Sequence, residues 1–397
     1  MALKTTFSSE RGAVLVHVAL GLLVFMAFTT FVVDYGVLWV SRRQAQNAAD
    51  AGAMAGAIAW GFDDREDLSA TGPAKRSAFT LSQDNFVWGA SPDVQIATDI
   101  TFPVCPDGIN SCLRVDVYRT ADRGNPLPMF FGRLLGLIDQ DIRATATAQV
   151  RTANATRCLK PWGIPDKWLE NYPVPGPWTP DVRFNKYEEP NGPLLPNPDV
   201  YEAPDEDGPG TGFTLAADYG TELVLKTGNP SQAIGPGWFL PLQLTEAGGA
   251  EYRDNIAGCA DVVWGIGDEI PTEPGNMIGP TIQGVRDLIA LDPNADWDPV
   301  TETVTGSCVQ DIPSSCPAYY QSPRVVVIPV FDVGVYEDAR HNGRTTVLVV
   351  NLLGFYLERV QGNDIYGRLV SAAGLLENGR GGVGLESAFA LQIVLVR

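Results

Sequence analysis

The chain has 397 residues, 47 acidic against 28 basic side chains and a formal charge of −19. That length allows a membrane helix plus one or two globular units with a sizeable core. Residues 1–60 carry Lys4, Arg11, Arg42 and Arg43 against Glu10, Asp34 and Asp50, so the acidity belongs to the remainder. No basic stripe is present for phosphate contacts, and nucleic acid is not an expected partner.

Residues Gly12 to Val33 read GAVLVHVALGLLVFMAFTTFVV, 22 residues whose only ionisable group is His17. At about 1.5 Å of helical rise per residue, this run is long enough to cross a hydrocarbon core of about 30 Å. It exceeds the core of a cleaved secretory signal, roughly 7 to 15 residues. Tyr35 and Trp39 follow as interfacial anchors. The reading is a transmembrane helix over 12–35 after a cytoplasmic stretch 1–11. His17 is expected to be neutral near the cytoplasmic interface, and Asp34, at the far end, to be hydrated.

Six cysteines, Cys105, Cys112, Cys158, Cys259, Cys308 and Cys316, all follow the apolar run, and none has zinc-site spacing. An oxidising compartment fits them, which puts the long body in the periplasm. The close pairs are Cys105 with Cys112 and Cys308 with Cys316, leaving Cys158 for Cys259. Other pairings, and free buried thiols, stay open at this stage.

Beyond the apolar run the helical pattern continues from Ser41 to Trp60. Ala45, Ala48, Gly52, Ala55, Gly56 and Ala59 form a stripe of small residues at spacings of three and four, a face that admits close approach of another backbone. Either the protein's own sheet or a helix of another subunit satisfies that face.

With Arg11-Gly12-Ala13, Val33-Asp34-Tyr35-Gly36 and Gln44-Ala45-Gln46-Asn47-Ala48-Ala49-Asp50-Ala51-Gly52-Ala53-Met54-Ala55-Gly56-Ala57 in place, the N-terminus resembles Flp/Tad (tight adherence) pilus-assembly proteins. The likeness is to the N-terminal segment of TadG-like members and, more distantly, to TadE-like pseudopilins. Phe130-Phe131-Gly132-Arg133-Leu134-Leu135-Gly136-Leu137 and the Ala-rich run 141–150 look like the short helix and last strand of the pilin-like part, extending the resemblance to residues 10–150. The resemblance implies a retained membrane anchor in the bacterial inner membrane and other pilus-assembly subunits as partners. Counting from Gly12, His17 stands where prepilins have glutamate, which argues against peptidase processing. The Asp-x-Ser-x-Ser run of a von Willebrand A metal site is missing from the sequence.

Alternation around Val94, Ile96 and Ile100 predicts a strand over 93–102. Leu113, Val115 and Val117 predict its partner over 112–119. A further strand is expected at 141–150, the three forming a small sheet within 36–157. From 158 to 212, twelve prolines are interspersed with Trp162, Trp168, Tyr172, Trp178 and Phe184. This composition predicts an irregular tract whose aromatics cover the protein's own core. Over 213–397, strand-like runs are expected at 213–215, 223–225, 237–244, 262–265, 324–331, 345–352, 355–360 and 388–397, with a helix from Gly279 to Leu291. The fold class is therefore α+β: a long helix continuing out of the membrane, a small antiparallel sheet and a β-rich second domain.

His341, beside Asp338, is the only histidine outside the apolar run, and no Gly-x-Ser-x-Gly elbow supplies a triad serine. Asp205-Glu206-Asp207 and the group Asp292, Asp296 and Asp298 do not match a calcium loop. The expectation is a structural or interaction component of Tad-type pilus assembly, not an enzyme, with no catalytic residue, metal or cofactor. A tethered envelope hydrolase and a calcium-dependent ligand-binding module are the alternatives.

Overall fold

The computed structural model describes residues 11–189, 192–228, 233–275, 277–308, 321–340 and 346–396. The chain divides into two compact units. The first contains Met1–Trp60, Asp64–Gln149 and Ile393–Arg397; the second contains Gly61–Asp63 and Val150–Gln392.

The first unit is organised on α1 (Arg11–Phe62), one uninterrupted helix. Helix α2 (Pro73–Asp84) packs beside it, with proline at its start, where the absent N–H costs nothing. The sequence reading did not anticipate α2, because its inward face is Ala74, Ala78 and Ser82 and carries no large apolar periodicity. The sheet contains β1 (Ile100–Thr101), β2 (Cys112–Arg119) and β3 (Ile142–Thr152). Strands β2 and β3 pair antiparallel without a break from Cys112 opposite Gln149 to Arg119 opposite Ile142. Along the first half of β3 the buried positions are Ile142, Ala144, Ala146 and Ala148, the period-two signature of a sheet with one covered face, and at Gln149 and Val150 both sides are buried.

The strand expected at 93–102 is much shorter. Ile100–Thr101 form its only ladder with β2, joined by a single bridge from Asp93 to Tyr118, because the buried Asp99 turns the segment between them. Its carboxylate accepts from the Gln95 N–H and the Thr98 hydroxyl and is held by the Arg123 guanidinium at 3.0 Å. These bonds satisfy the polar groups locally in place of a ladder.

The second unit holds a closed six-stranded barrel. Its strands are β4 (Trp162–Pro165), β5 (Glu222–Thr227), β6 (Trp238–Pro241), β7 (Val325–Phe331), β8 (Thr346–Gln361) and β9 (Asp364–Val370). The circuit runs β8-β7-β4-β6-β5-β9 and closes by pairing β9 with β8, while Glu269–Pro271 adds an edge ribbon to β8. Closure removes most of the free strand edges that an open sheet would otherwise expose. The interior is filled by side chains such as Trp162, Phe239, Ile328, Leu353 and Phe355. Helices α3 (Gly249–Ala257) and α4 (Ile278–Ala290) belong to the same core. They meet at Gly284, where a Cβ would lie 2.8 Å from that of Ile256, so only glycine permits this approach. Helix α5 (Val333–Arg340) follows β7 directly.

Three expectations need correction here. The tract 158–212 is not wholly irregular, since it contributes β4, a fully buried barrel strand between β7 and β6. The runs at 345–352 and 355–360 are one strand, β8, because Gly354 lets the chain pass close to Val370 without interrupting the ladder. Residues 213–215 lead into a short helical turn, Leu215–Asp218, instead of a strand; the Asp218 carboxylate accepts from the Thr214 N–H at 2.8 Å and closes it. The rest of the tract folds on its own aromatics. Trp168 meets Trp178 and Phe184 edge-on at 5.7 and 5.5 Å, and Trp178 meets Phe213 at 5.8 Å. The last strand, β10 (Ala390–Val396), pairs through Ala390 and Leu391 with Ala372 and Ala373, and its residues from Ile393 lie in the sheet of the first unit.

Candidate functional site

Along α1 the environment changes abruptly at one residue. From Val14 to Val33 the described large side chains are exposed, Leu15 and Phe25 to 72%. The helix is long and apolar enough to cross a membrane, with a mean hydropathy of 2.3 in its best stretch and none of that stretch buried within the protein. His17 lies exposed in this part. Burial begins at Asp34 and follows Val37, Ser41, Ala45, Ala48 and Gly52, a stripe at helical spacing that carries the protein-facing side of the second half.

Asp34 is only 3% exposed, which overturns the expectation that it is hydrated. Its Oδ1 accepts from the Phe130 N–H at 2.8 Å and its Oδ2 from the Gly132 N–H at 2.6 Å, with Phe131 N–H between them at 3.2 Å. These donors open the single 3₁₀ turn Gly132–Leu135, so the carboxylate caps it from another element. Glycine at 132 eases this approach: a Cβ there would stand 2.6 Å from the Met129 methyl, which would have to move, and 3.2 Å from Asp34 Oδ2.

The small-residue face is occupied by the chain itself. A Cβ on Gly52 would lie 2.9 Å from the Ala78 carbonyl and 2.9 Å from Ser82 Cβ. One on Gly56 would lie 2.8 Å from both Ala78 Cβ and Leu113 Cδ1. The neighbours are therefore α2 and β2. Ala45, Ala48 and Ala59 are buried, and Ala55 is half-buried. Higher on the helix, Arg43 stacks over Trp39 at 3.8 Å, and Gln44 Oε1 accepts the Trp88 N–H at 2.8 Å.

This half-exposed, half-packed helix is also where known proteins enter. Residues 12–59 match the putative Flp pilus-assembly TadE/G-like family. The match begins with the apolar run and ends with the packed small-residue face, so the TadE/G-like segment and α1 are almost the same object. No curated protein and no solved structure matches the chain.

Of the cysteines, Cys105 is bonded to Cys112 with Cα atoms 5.3 Å apart, and Cys158 to Cys259 at 4.7 Å. Cys308 is also in a disulfide. Cys316 and His341 lie outside the described residues. Near the second bridge, the buried Lys160 ammonium donates to the Ile256 carbonyl at 2.8 Å and to those of Asn255 and Gly258, the free carbonyls ending α3. Burial lowers its pKa to about 8.

Of the acidic groups singled out in the sequence, Asp205 accepts from the Asp207 and Gly208 N–H groups in an exposed turn. Asp292 is fully buried under Ser307, Ser322 and the Cys308 N–H, while Asp296 and Asp298 serve local backbone donors. Among the described residues no cluster of three or more metal-ligating side chains forms.

The sequence reading missed a buried acid at the barrel end. Strands β4 and β7 run parallel, and Asp166 and Asp332 follow them in adjacent register. Asp166 is wholly buried; Oδ1 accepts from the Lys167 and Phe213 N–H groups at 2.9 and 3.0 Å, and Oδ2 from the Tyr201 hydroxyl at 3.2 Å. Burial pushes its pKa up to about 7 against the lowering effect of those donors. Burial also raises the pKa of Asp332, whose Oδ1 caps α5 through the Val335 N–H at 2.7 Å. Asp166 is filled with partners and joins the barrel to the aromatic tract. No sequence signal marks it, because an aspartate after a strand reads as an ordinary solvated turn.

Proposed function

We propose that this protein is a membrane-anchored, non-catalytic component of Tad-type pilus assembly, held by the first half of α1 with its body in the periplasm. The observation that carries the reading is the coincidence of three boundaries on one helix. The TadE/G-like match starts with the exposed apolar run, burial begins as that run ends, and the match stops where the small-residue packing face stops. A helix that is exposed and apolar for 20 residues has a bilayer as its natural solvent. The disulfides support an oxidising location for the body. Because α2 and β2 occupy the small-residue face, contacts with other pilus-assembly subunits fall to other surfaces of the chain.

The test is fractionation of cells expressing the full chain with a C-terminal tag, followed by protease treatment. A full-length membrane-bound product, protected in intact cells and digested in spheroplasts, is expected. A shortened soluble product, or digestion only after the inner membrane is broken, overturns the anchor or its orientation.

A further inference from the structure

The loop clamped by Asp34 raises a question its internal packing does not answer. Residues 127–140 form a small ribbon, Leu127–Pro128 against Asp139–Gln140, closed over the 3₁₀ turn. The tip presents Phe130, Leu137 and Ile138, which are 52%, 55% and 67% exposed. The ten residues 129–138 between these strands leave three large apolar side chains in water and so forgo the burial that would stabilise them. Phe130 meets Trp88 edge-on at 6.3 Å, but the capping itself does not require Leu137 and Ile138 to be apolar, since a polar loop caps equally well.

Asp34 fixes the height of this loop. The apolar run ends at Val33, and the carboxylate that bonds the loop belongs to the next residue. The loop thus lies level with the end of the span, where hydrocarbon gives way to headgroups. The other residues at that height are those of a membrane interface. Phe31 stacks on Tyr35 at 5.4 Å, and Tyr35 and Trp39 are about half exposed. Arg43 covers Trp39, and the exposed Arg133 sits on the loop itself. Trp39 stands five residues above Asp34, about 7.5 Å along the axis, which is headgroup depth.

We infer that the 127–140 loop is a second membrane contact: Phe130, Leu137 and Ile138 enter the lipid interface beside α1, and Asp34 locks them to the helix at that depth. The occupant is lipid, because the loop is bonded to α1 at the residue where the exposed apolar run ends, and arginine and aromatic side chains stand at the same level. With the loop seated, the first unit stands on the bilayer at a fixed height on two supports, one helical and one looped. This inference rests on the anchor reading above.

The test uses the full chain with Ile138→Cys, Leu22→Cys or Ile109→Cys, each spin-labelled and reconstituted in vesicles of phosphatidylethanolamine and phosphatidylglycerol. Accessibility to oxygen is then compared with accessibility to a water-soluble nickel chelate. All three positions are exposed, so the labels do not disturb packing. Ile109 lies in the turn before β2, near the level of Gly56, about 33 Å along the helix from Asp34. The expected result is an oxygen-to-nickel ratio at 138 several-fold above that at 109 and close to that at 22. A ratio at 138 equal to that at 109, with 22 still lipid-exposed, overturns the loop contact and leaves the anchor standing. Nickel access at 22 overturns the anchor reading and this inference with it.

Discussion

Replacing Asp166 by asparagine makes stability respond to pH in a way that a buried, partnered acid alone dictates. Folding raises its pKa from 3.8 to about 7, so between about pH 4 and pH 7 the native state holds a proton that the unfolded chain has released. Stability therefore falls as pH rises through that window, by at most about 1.4 kcal/mol per pH unit. Over about three units the loss is on the order of 4 kcal/mol, complete above about pH 7, where the carboxylate is charged in both states. Asparagine has the same shape and keeps an acceptor for the Phe213 and Lys167 N–H groups. Its amide also faces the Tyr201 hydroxyl, and it never charges. Urea unfolding of both proteins in detergent micelles, followed by tryptophan emission at pH 4.5, 6 and 8, reads the difference directly; carboxylates common to both proteins cancel. The variant is expected to match the native protein at pH 4.5 and to exceed it by several kcal/mol at pH 8. A difference that does not change with pH, or a variant that loses stability at pH 8, refutes the reasoning.

Asp34→Ala strips the acceptor from three N–H groups at 130–132 and is expected to cost about 3 kcal/mol locally, seen as faster amide exchange over 129–138 with α2 unchanged. Gly56→Val drives side-chain atoms into Ala78 and Leu113 and is expected to destabilise the first unit by about 3 kcal/mol despite valine's better helix propensity; thermal unfolding that is unshifted contradicts the packing described. Opening the Cys158–Cys259 bridge, which spans 101 residues, by the paired change to serine is expected to lower the urea midpoint of the second unit by the equivalent of about 2–4 kcal/mol.

The helix α1 was legible because both of its signals are local: an uncharged run of sufficient length, then alanine and glycine at spacings of three and four. Strands β2 and β3, and the helix at 278–290, declared themselves by periodicity in the same way. Helix α2 did not, since its buried face is alanine and serine while the apolar Leu81 lies exposed. Asp99 erased the strand expected at 93–102 through a bond to Arg123 that no window of sequence contains. The same limit hid β4, whose Trp162-Gly163-Ile164-Pro165 stands in a proline-rich context and is recruited as a strand only by β7 and β6.

The sequence by itself determined that this chain has one apolar span, a small-residue helix running on from it, an acidic body and a strand-rich second half. Each follows from composition and period within a few turns of chain. Only the tertiary structure decided what the small face packs against, that the sheet closes into a barrel, and which carboxylates leave water. Asp34 and its donors are 96 to 98 residues apart, and Asp166 draws its partners from residues 201 and 213. A buried charge is stabilised by groups brought to it through space, and the proximity of such groups is a property of the fold, not of any local stretch of the chain.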